Sequence, residues 1–434
     1  MKKIHLQHIH GCHLRTKNRS LIQWATLLVA FWSVLYVLYS TLPGMFGYLK
    51  YLPDGILLTI LLLSLCRNKI KLNRSLLVPF GLAVGFFFYT VFIYLFRYQS
   101  LAYFLWGFRN HFRFYIAFFA FITFLDSEDV GNWFRVMDVL FWIHVGVSTI
   151  QFLVFGISGD HLGGIFGILD GVNAYSICLM SIVVAKAMLK TLNGKANFFG
   201  SMLICTGSIL VAAMAELKAY FVIMILLLIG AAVLTRFSFK KLLIVLLVVA
   251  VVMYGASLLV EWFGFEGFLS FDRILDSATR ENYSGTNDIN RLSAISILTQ
   301  KLKLDPVTQL FGLGLGNCDT SSFEVCNTPF FRQYEYLHYN WFSSAMQFLE
   351  TGYLGVIISL GFLVNCGLFA LKCHRRKIGD LLYNQLAVLM SILCCVLFFY
   401  NSALRTEAAY MMFFTLSLPF IRRKQNAPTV SEKG

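Results

Sequence analysis

The residues best suited to chemistry gather between Asn287 and Gly361. Asn287-Asp288-Ile289-Asn290-Arg291 opens the stretch, and Asp305-Pro306 precedes Phe311-Gly312-Leu313-Gly314-Leu315-Gly316. Leu337-His338-Tyr339-Asn340-Trp341 and Glu350-Thr351-Gly352-Tyr353-Leu354-Gly355 close it. An imidazole with an unperturbed pKa of about 6.5 is suited to acid–base work near neutral pH, which makes His338 a catalytic candidate. Glu350 is a second: it either takes a proton from an attacking hydroxyl or sits at a helix N-terminus, where a carboxylate is favoured by the dipole. Tyr336, Tyr339 and Trp341 surround the histidine, as an interfacial aromatic belt or as faces on which sugar rings stack.

Arg291 is the third candidate. Apolar Ile295, Leu298 and Leu302 recur at helical spacing, which predicts a helix over 289–304 with Asp288 as its N-cap. Arg291 falls on that same face, either against a carboxylate such as Asp272 or Glu281 or aimed at an anion. Asp305-Pro306 ends the helix, because proline cannot continue it. The three spaced glycines lack the G-x-G-x-x-G order and the βαβ context of a dinucleotide site, so they read as a tight turn with positive φ and close backbone approach.

These groups must be positioned by elements that are nearly all hydrocarbon. Of 434 residues 58% are hydrophobic and 13% charged, whereas a soluble domain carries about 25% charged residues. Apolar runs long enough to cross about 30 Å of hydrocarbon predict an all-α polytopic membrane protein of about twelve helices. The runs are 21–41, 51–66, 76–96, 112–125, 134–156, 172–190, 198–215, 217–235, 241–261, 350–371, 381–400 and 405–421. The net charge of +14 does not indicate nucleic acid. Its cations fall in alternate short loops, among them Arg67, Lys69, Lys195, Lys240, Arg375, Arg376, Lys377 and Arg422-Arg423-Lys424. That alternation puts both termini in the cytoplasm by the positive-inside rule. A cytoplasmic tail, 1–20, then precedes helices 1–9 over 21–261. An extracytoplasmic loop, 262–349, is followed by helices 10–12 over 350–421 and a second cytoplasmic tail, 422–434.

The tail histidines His5, His8, His10 and His13 with Cys12 match no zinc spacing, so no metal site is expected there. Most of the ten cysteines sit in apolar segments, while Cys318 and Cys326 share the outer loop and are close enough to pair. Lys218 stands beside Glu216 at the outer hinge of two helices, where an unpaired charge is costly and hence a functional candidate. Arg109 and Arg113 are expected on the outer side between helices three and four, as further substrate-binding cations. Asp138 and His144 fall inside the fifth helix.

In order and topology these residues resemble the O-antigen ligase and polysaccharide polymerase superfamily of bacterial membrane enzymes. The shared pattern is many helices, a long outer loop with spaced arginines, Asp-Pro, the Phe-Gly-x-Gly-x-Gly turn, a histidine, and Glu-x-Gly-x-x-Gly. It covers Ala213 to Gly361. The resemblance implies a GT-C-like architecture and a metal-independent glycosyltransferase without cofactors. Its donor would be an undecaprenyl-diphosphate-linked glycan at the outer face of the bacterial inner membrane. A chain-length regulator and a flippase would be its protein partners. Arg291, Arg273 and Lys218 would hold the diphosphate, and His338 would activate the acceptor. His338-Tyr339-Asn340 departs from the adjacent His-Asn of the ligases, which favours a polymerase of O-antigen, capsule or exopolysaccharide repeat units. Transfer to lipid A core and lipid-linked oligosaccharide flipping remain the alternatives. A flippase is expected to show internal repeats, and none is evident here.

Overall fold

The computed structural model describes residues 20–41, 44–66, 74–97, 99–235, 249–250, 254, 257, 289–321 and 323–425. The first tail, the run at 241–261 (apart from isolated positions), and Asp272, Arg273, Glu281 and Asp288 lie outside the described residues. Among the described residues the chain is helical, with no strand.

Helix α1 (Leu21–Phe31) begins at a capping box, in which the Ser20 side chain accepts from the Gln23 amide and Gln23 returns a bond to Ser20. A 3-10 turn leads into α2 (Tyr36–Thr41). There follow α3 (Leu52–Cys66), α4 (Leu77–Arg97), α5 (Leu101–Phe124), α6 (Ser127–Leu153), α7 (Asn173–Leu192), α8 (Phe198–Met214) and α9 (Lys218–Leu234). The loop region holds three short helices, α10 (Ala294–Lys301), α11 (Pro306–Phe311) and α12 (Pro329–Tyr334). The chain closes with α13 (Ser343–Arg375), α14 (Leu381–Tyr400) and α15 (Ala409–Gln425). Among the described residues six stretches are long and apolar enough to cross a membrane: Leu21–Leu38, Arg74–Arg97, Ser127–Leu153, Asn173–Leu192, Ser343–Arg375 and Leu381–Tyr400. The protein is therefore a helical, multi-pass membrane protein.

Helix α7 is the hub, since almost every residue along it is buried. In contrast α4 and α6 expose apolar flanks such as Phe88, Phe92, Leu95, Val139 and Ile150, as lipid-facing helices do. Aromatic rings seat α5 against α15, with Phe114 on Tyr410 and Phe121 on Phe414. Trp133 of α6 lies 4.3 Å from Phe414 and donates from Nε1 to the Ala30 carbonyl.

Four predicted boundaries move, each for a physical reason. The fourth apolar run starts at Leu101 rather than 112, so Arg109 is on the helix and Arg113 lies at its middle rather than at its outer end. A helix tolerates those charges because acidic partners on other elements meet them. The fifth starts at Ser127, set by a capping box between Asp126 and Asp129. The tenth starts at Ser343, seven residues into the expected loop, and breaks at Gly352 (φ 62°). Glu350 therefore ends the first half of α13 instead of opening a helix. Asp305 caps α11, accepting from the Val307 and Thr308 amides with Pro306 in the first turn, so Asp-Pro opens a helix here.

Asp138 and Lys186 form an ion pair between α6 and α7, in which Lys186 is 3% exposed. Asp138 is 41% exposed, so the enclosed partner is Lys186, and removing Asp138 leaves its ammonium without a carboxylate. We expect Asp138→Ala to lower the unfolding temperature in detergent, and the double change with Lys186→Met to recover most of the loss. Equal losses in both would contradict a stranded lysine as the cause.

Candidate functional site

The glycine turn is built by close approach. Gly312, Gly314 and Gly316 have φ of 78°, 106° and 81°. A Cβ on Gly316 would stand 1.9 Å from the Tyr103 carbonyl oxygen, and one on Gly107 of α5 would stand 2.3 Å from the Gly316 nitrogen. Backbone thus lies on backbone where 312–316 crosses α5. The same turn is held to α13, with Leu313 N donating to Leu349 O at 2.7 Å and Gly314 N to Glu350 O at 3.0 Å. At the Gly352 break, Tyr89 of α4 donates its hydroxyl to Thr351 O at 2.7 Å, satisfying a carbonyl near the discontinuity.

Glu350, fully buried, is the centre of a polar network. Its Oε1 accepts from Gly316 N at 2.9 Å. Its Oε2 meets His111 Nε2 at 2.6 Å and accepts from an Arg405 guanidinium nitrogen at 3.1 Å. The second terminal nitrogen of Arg405 donates to Asp319 Oδ2 at 2.9 Å. Asn110 donates to the same oxygen at 2.6 Å and accepts from Arg109 at 2.7 Å, and Arg109 Nε donates to Asp54 at 2.7 Å. On the other side Arg113 donates to Glu407 at 2.9 Å and to the Arg405 carbonyl at 2.9 Å, while Tyr175 donates to Glu407 at 2.9 Å. A cavity of about 40 Å³ beside His111 and Arg405 has room for a water or two but not for a sugar.

Two carboxyls outside the helices are shifted in opposite directions. Burial pushes the Asp319 carboxyl up from its ordinary 3.8, the neighbouring charge of Glu350 adds to this, and Arg405 opposes it. Burial also acts to raise Glu407, but Arg113 overcomes it and holds that carboxyl below its ordinary 4.5. Arg405 is held fully charged: burial disfavours its cation, and Glu350 and Asp319 outweigh burial.

Of the residues expected from the sequence, Glu350, Arg109 and Arg113 are in this network. Arg113 is 6% exposed and paired with Glu407, inside the bundle rather than on its outer surface. Arg109 spans Tyr51 and Trp106, its guanidinium 4.7 Å and 4.9 Å from their rings. Tyr339 is fully buried and donates its hydroxyl to Cys318 O at 2.7 Å, which rules it out as a surface for sugar. Tyr336 and Trp341 are exposed. His338 adopts a left-handed conformation (φ 51°) and stacks flat on Trp341 at 4.1 Å. Tyr339 ties that segment to the residue preceding Asp319. Arg291 precedes α10 rather than lying within it, and its guanidinium sits 4.3 Å from the Tyr400 ring. Ile295 packs with Phe348, Phe398 and Leu404, which brings α10 beside Arg405. Lys218 opens α9 and is exposed. Cys318 and Cys326 are both free thiols.

Sequence reasoning missed His111, Asp319, Arg405 and Glu407. The signal for His111 was a titratable residue inside an apolar run, and for Arg405 and Glu407 a charge pair in the short link before the last helix. It also missed an aromatic patch of Tyr48, Tyr51, Trp106 and Phe323, whose ring centroids are 5.4–6.5 Å apart. Trp106 Nε1 donates to Thr320 O, so the patch adjoins Asp319.

Together, fold and site define a multi-pass helical membrane protein with a buried charged network where a loop region folds onto its helices. No family model matches the chain, and no curated protein matches it.

Two outcomes follow. Gly316→Ala has no room beside Tyr103 and a disfavoured φ, and we expect a loss of about 1–3 kcal/mol in detergent unfolding; unchanged stability would contradict the close crossing. Glu407 has a folded pKa below its unfolded one, so its stabilisation is full above about pH 4.5 and is lost as pH falls through the folded value. Glu407→Gln is expected to flatten that acid limb in a pH series of unfolding temperatures. An unchanged limb would remove Glu407 as its source.

Proposed function

We propose that the protein is a polymerase that joins undecaprenyl-diphosphate-linked oligosaccharide repeat units into O-antigen, capsular or exopolysaccharide chains. In this reading about twelve helices cross the bacterial inner membrane. Both termini are cytoplasmic, and the 262–342 segment faces outward. The observation that carries it is the buried Glu350–Arg405–Asp319 network under an exposed aromatic patch, at the end of the bundle where the loop region lies.

The chemistry requires a base for the attacking sugar hydroxyl and cations for the leaving diphosphate. Asp319 suits the base role, because a carboxyl raised by burial and a neighbouring carboxylate binds a proton more strongly than an exposed one. Glu350 is wholly enclosed, so it acts by positioning His111 and Arg405 rather than by touching substrate. Tyr48, Trp106 and Phe323 offer faces to the acceptor glycan, with Tyr336 and Trp341 as a second surface. Arg291, beside the 401–408 link, is the diphosphate contact, joined by Lys218 and Arg273. His338 remains a second candidate for activating the acceptor.

Purified protein in proteoliposomes, given lipid-linked repeat units alone, is expected to produce a ladder of longer glycans. Product only on addition of lipid A core would replace the polymerase by a ligase, and transbilayer movement without product would replace it by a flippase. Asp319→Asn and Arg291→Ala are each expected to reduce the ladder at least about a hundredfold, the scale of a lost acid–base or electrostatic contribution. Full activity in Arg291→Ala would remove the diphosphate assignment. For wild type, the rate is expected to rise with pH through an Asp319 value displaced upward from 3.8, and Asp319→Asn to lack that limb.

A further inference from the structure

A cavity of about 650 Å³ lies at the far end of the bundle, among the ends of α7, α9 and α13 and the start of α14. From Gly352 to His374, α13 rises about 33 Å at 1.5 Å per residue, close to the hydrocarbon thickness of a bilayer. The cavity and the Glu350 network are therefore at opposite faces of the membrane-crossing bundle.

Its chemistry is one-sided. His374, Arg375 and Lys377 line it, with Asn193, Asn384 and Gln385, and among the described residues that line it none is a carboxylate. The amides are committed to the wall: Asn193 donates to Gln385, Gln385 to Leu234 O, and Asn384 to Ile378 O. Among the described residues neither Arg375 nor Lys377 forms an ion pair; both are exposed, and His374 Nδ1 is enclosed without a hydrogen bond. Val233 (77% exposed) and Leu381 (37%) form an apolar lip on the same cavity. A basic rim joined to an apolar lip, at membrane-interface depth, matches the phosphate and acyl parts of one molecule.

We propose that this cavity binds an anionic phospholipid, with the phosphate against Arg375, Lys377 and His374 and an acyl chain along Val233. Basic pockets between transmembrane helices recognise such headgroups, each surface cation being worth about fivefold in affinity. The apolar lip favours the lipid over free phosphate. The site is independent of the proposed glycan chemistry at the other end.

The test is binding of phosphatidylglycerol, phosphatidylcholine and inorganic phosphate to the full-length protein in detergent, read by native mass spectrometry and unfolding temperature. Phosphatidylglycerol is expected to bind roughly 25-fold tighter than phosphatidylcholine, the product of two such cations. Arg375→Gln with Lys377→Asn is expected to bring that ratio close to one. Asparagine suits the left-handed backbone at Lys377 (φ 54°), so the fold is kept. Val233→Asp is expected to weaken the lipid without creating phosphate binding. Equal affinity for the two lipids, an unchanged ratio in the double variant, or phosphate binding as tight as the lipid would overturn the proposal.

Discussion

The structure depends on how Glu350 is satisfied. A carboxylate with no exposure, deep among helices, persists only if both of its oxygens find hydrogen-bond partners. Glu350 achieves this with three elements that are remote in sequence: the glycine turn, α5 through His111, and the 401–408 link through Arg405. Its own carbonyl takes the Gly314 amide. One residue thereby fixes where the loop region sits on the bundle. The left-handed break at Gly352 follows from the same arrangement, since a Cβ there would stand 2.3 Å from the Leu310 carbonyl oxygen.

Around that anchor the charges alternate. Arg405 lies between Glu350 and Asp319, Arg113 opposes Glu407, and Arg109 opposes Asp54. Such alternation lets several ionised groups share a low-dielectric region, and it sets their protonation apart: Asp319 upward, Glu407 downward. Carboxyls with opposed shifts are the arrangement from which acid–base roles are assigned. Asp319 is also the member next to the aromatic patch, through Thr320 and Trp106.

Much of the helical framework was legible in the sequence, because a run of apolar residues long enough to cross a bilayer has few other uses. The hinge at Glu216 is an example: α8 ends at Met214 and α9 begins at Lys218, as the charge pair there implied. The positive φ of the three glycines was legible too. The network was not, since His111 and Glu350 are 239 residues apart and Arg113 and Glu407 are 294 apart. An apolar run that starts at 112 leaves Arg109 outside the fourth helix, whereas Asp54 and Glu407 let that helix carry both Arg109 and Arg113. Tyr339 misled for the opposite reason: its polar neighbours gave no sign that its ring is core and its hydroxyl caps Cys318.

The account stands on the coupling between Glu350 and Arg405. A double-mutant cycle of Glu350→Gln and Arg405→Gln, measured as unfolding free energy in detergent, tests it most directly. Residues that share one buried network show interaction energies of about 0.5–3 kcal/mol, whereas independent sites add to within about 0.5 kcal/mol. We predict a coupling above about 1 kcal/mol, with the double variant losing less than the two single changes combined. Additivity would contradict the claim that Glu350 and Arg405 belong to one buried network, through which Gly316 and Asp319 of the loop region are held.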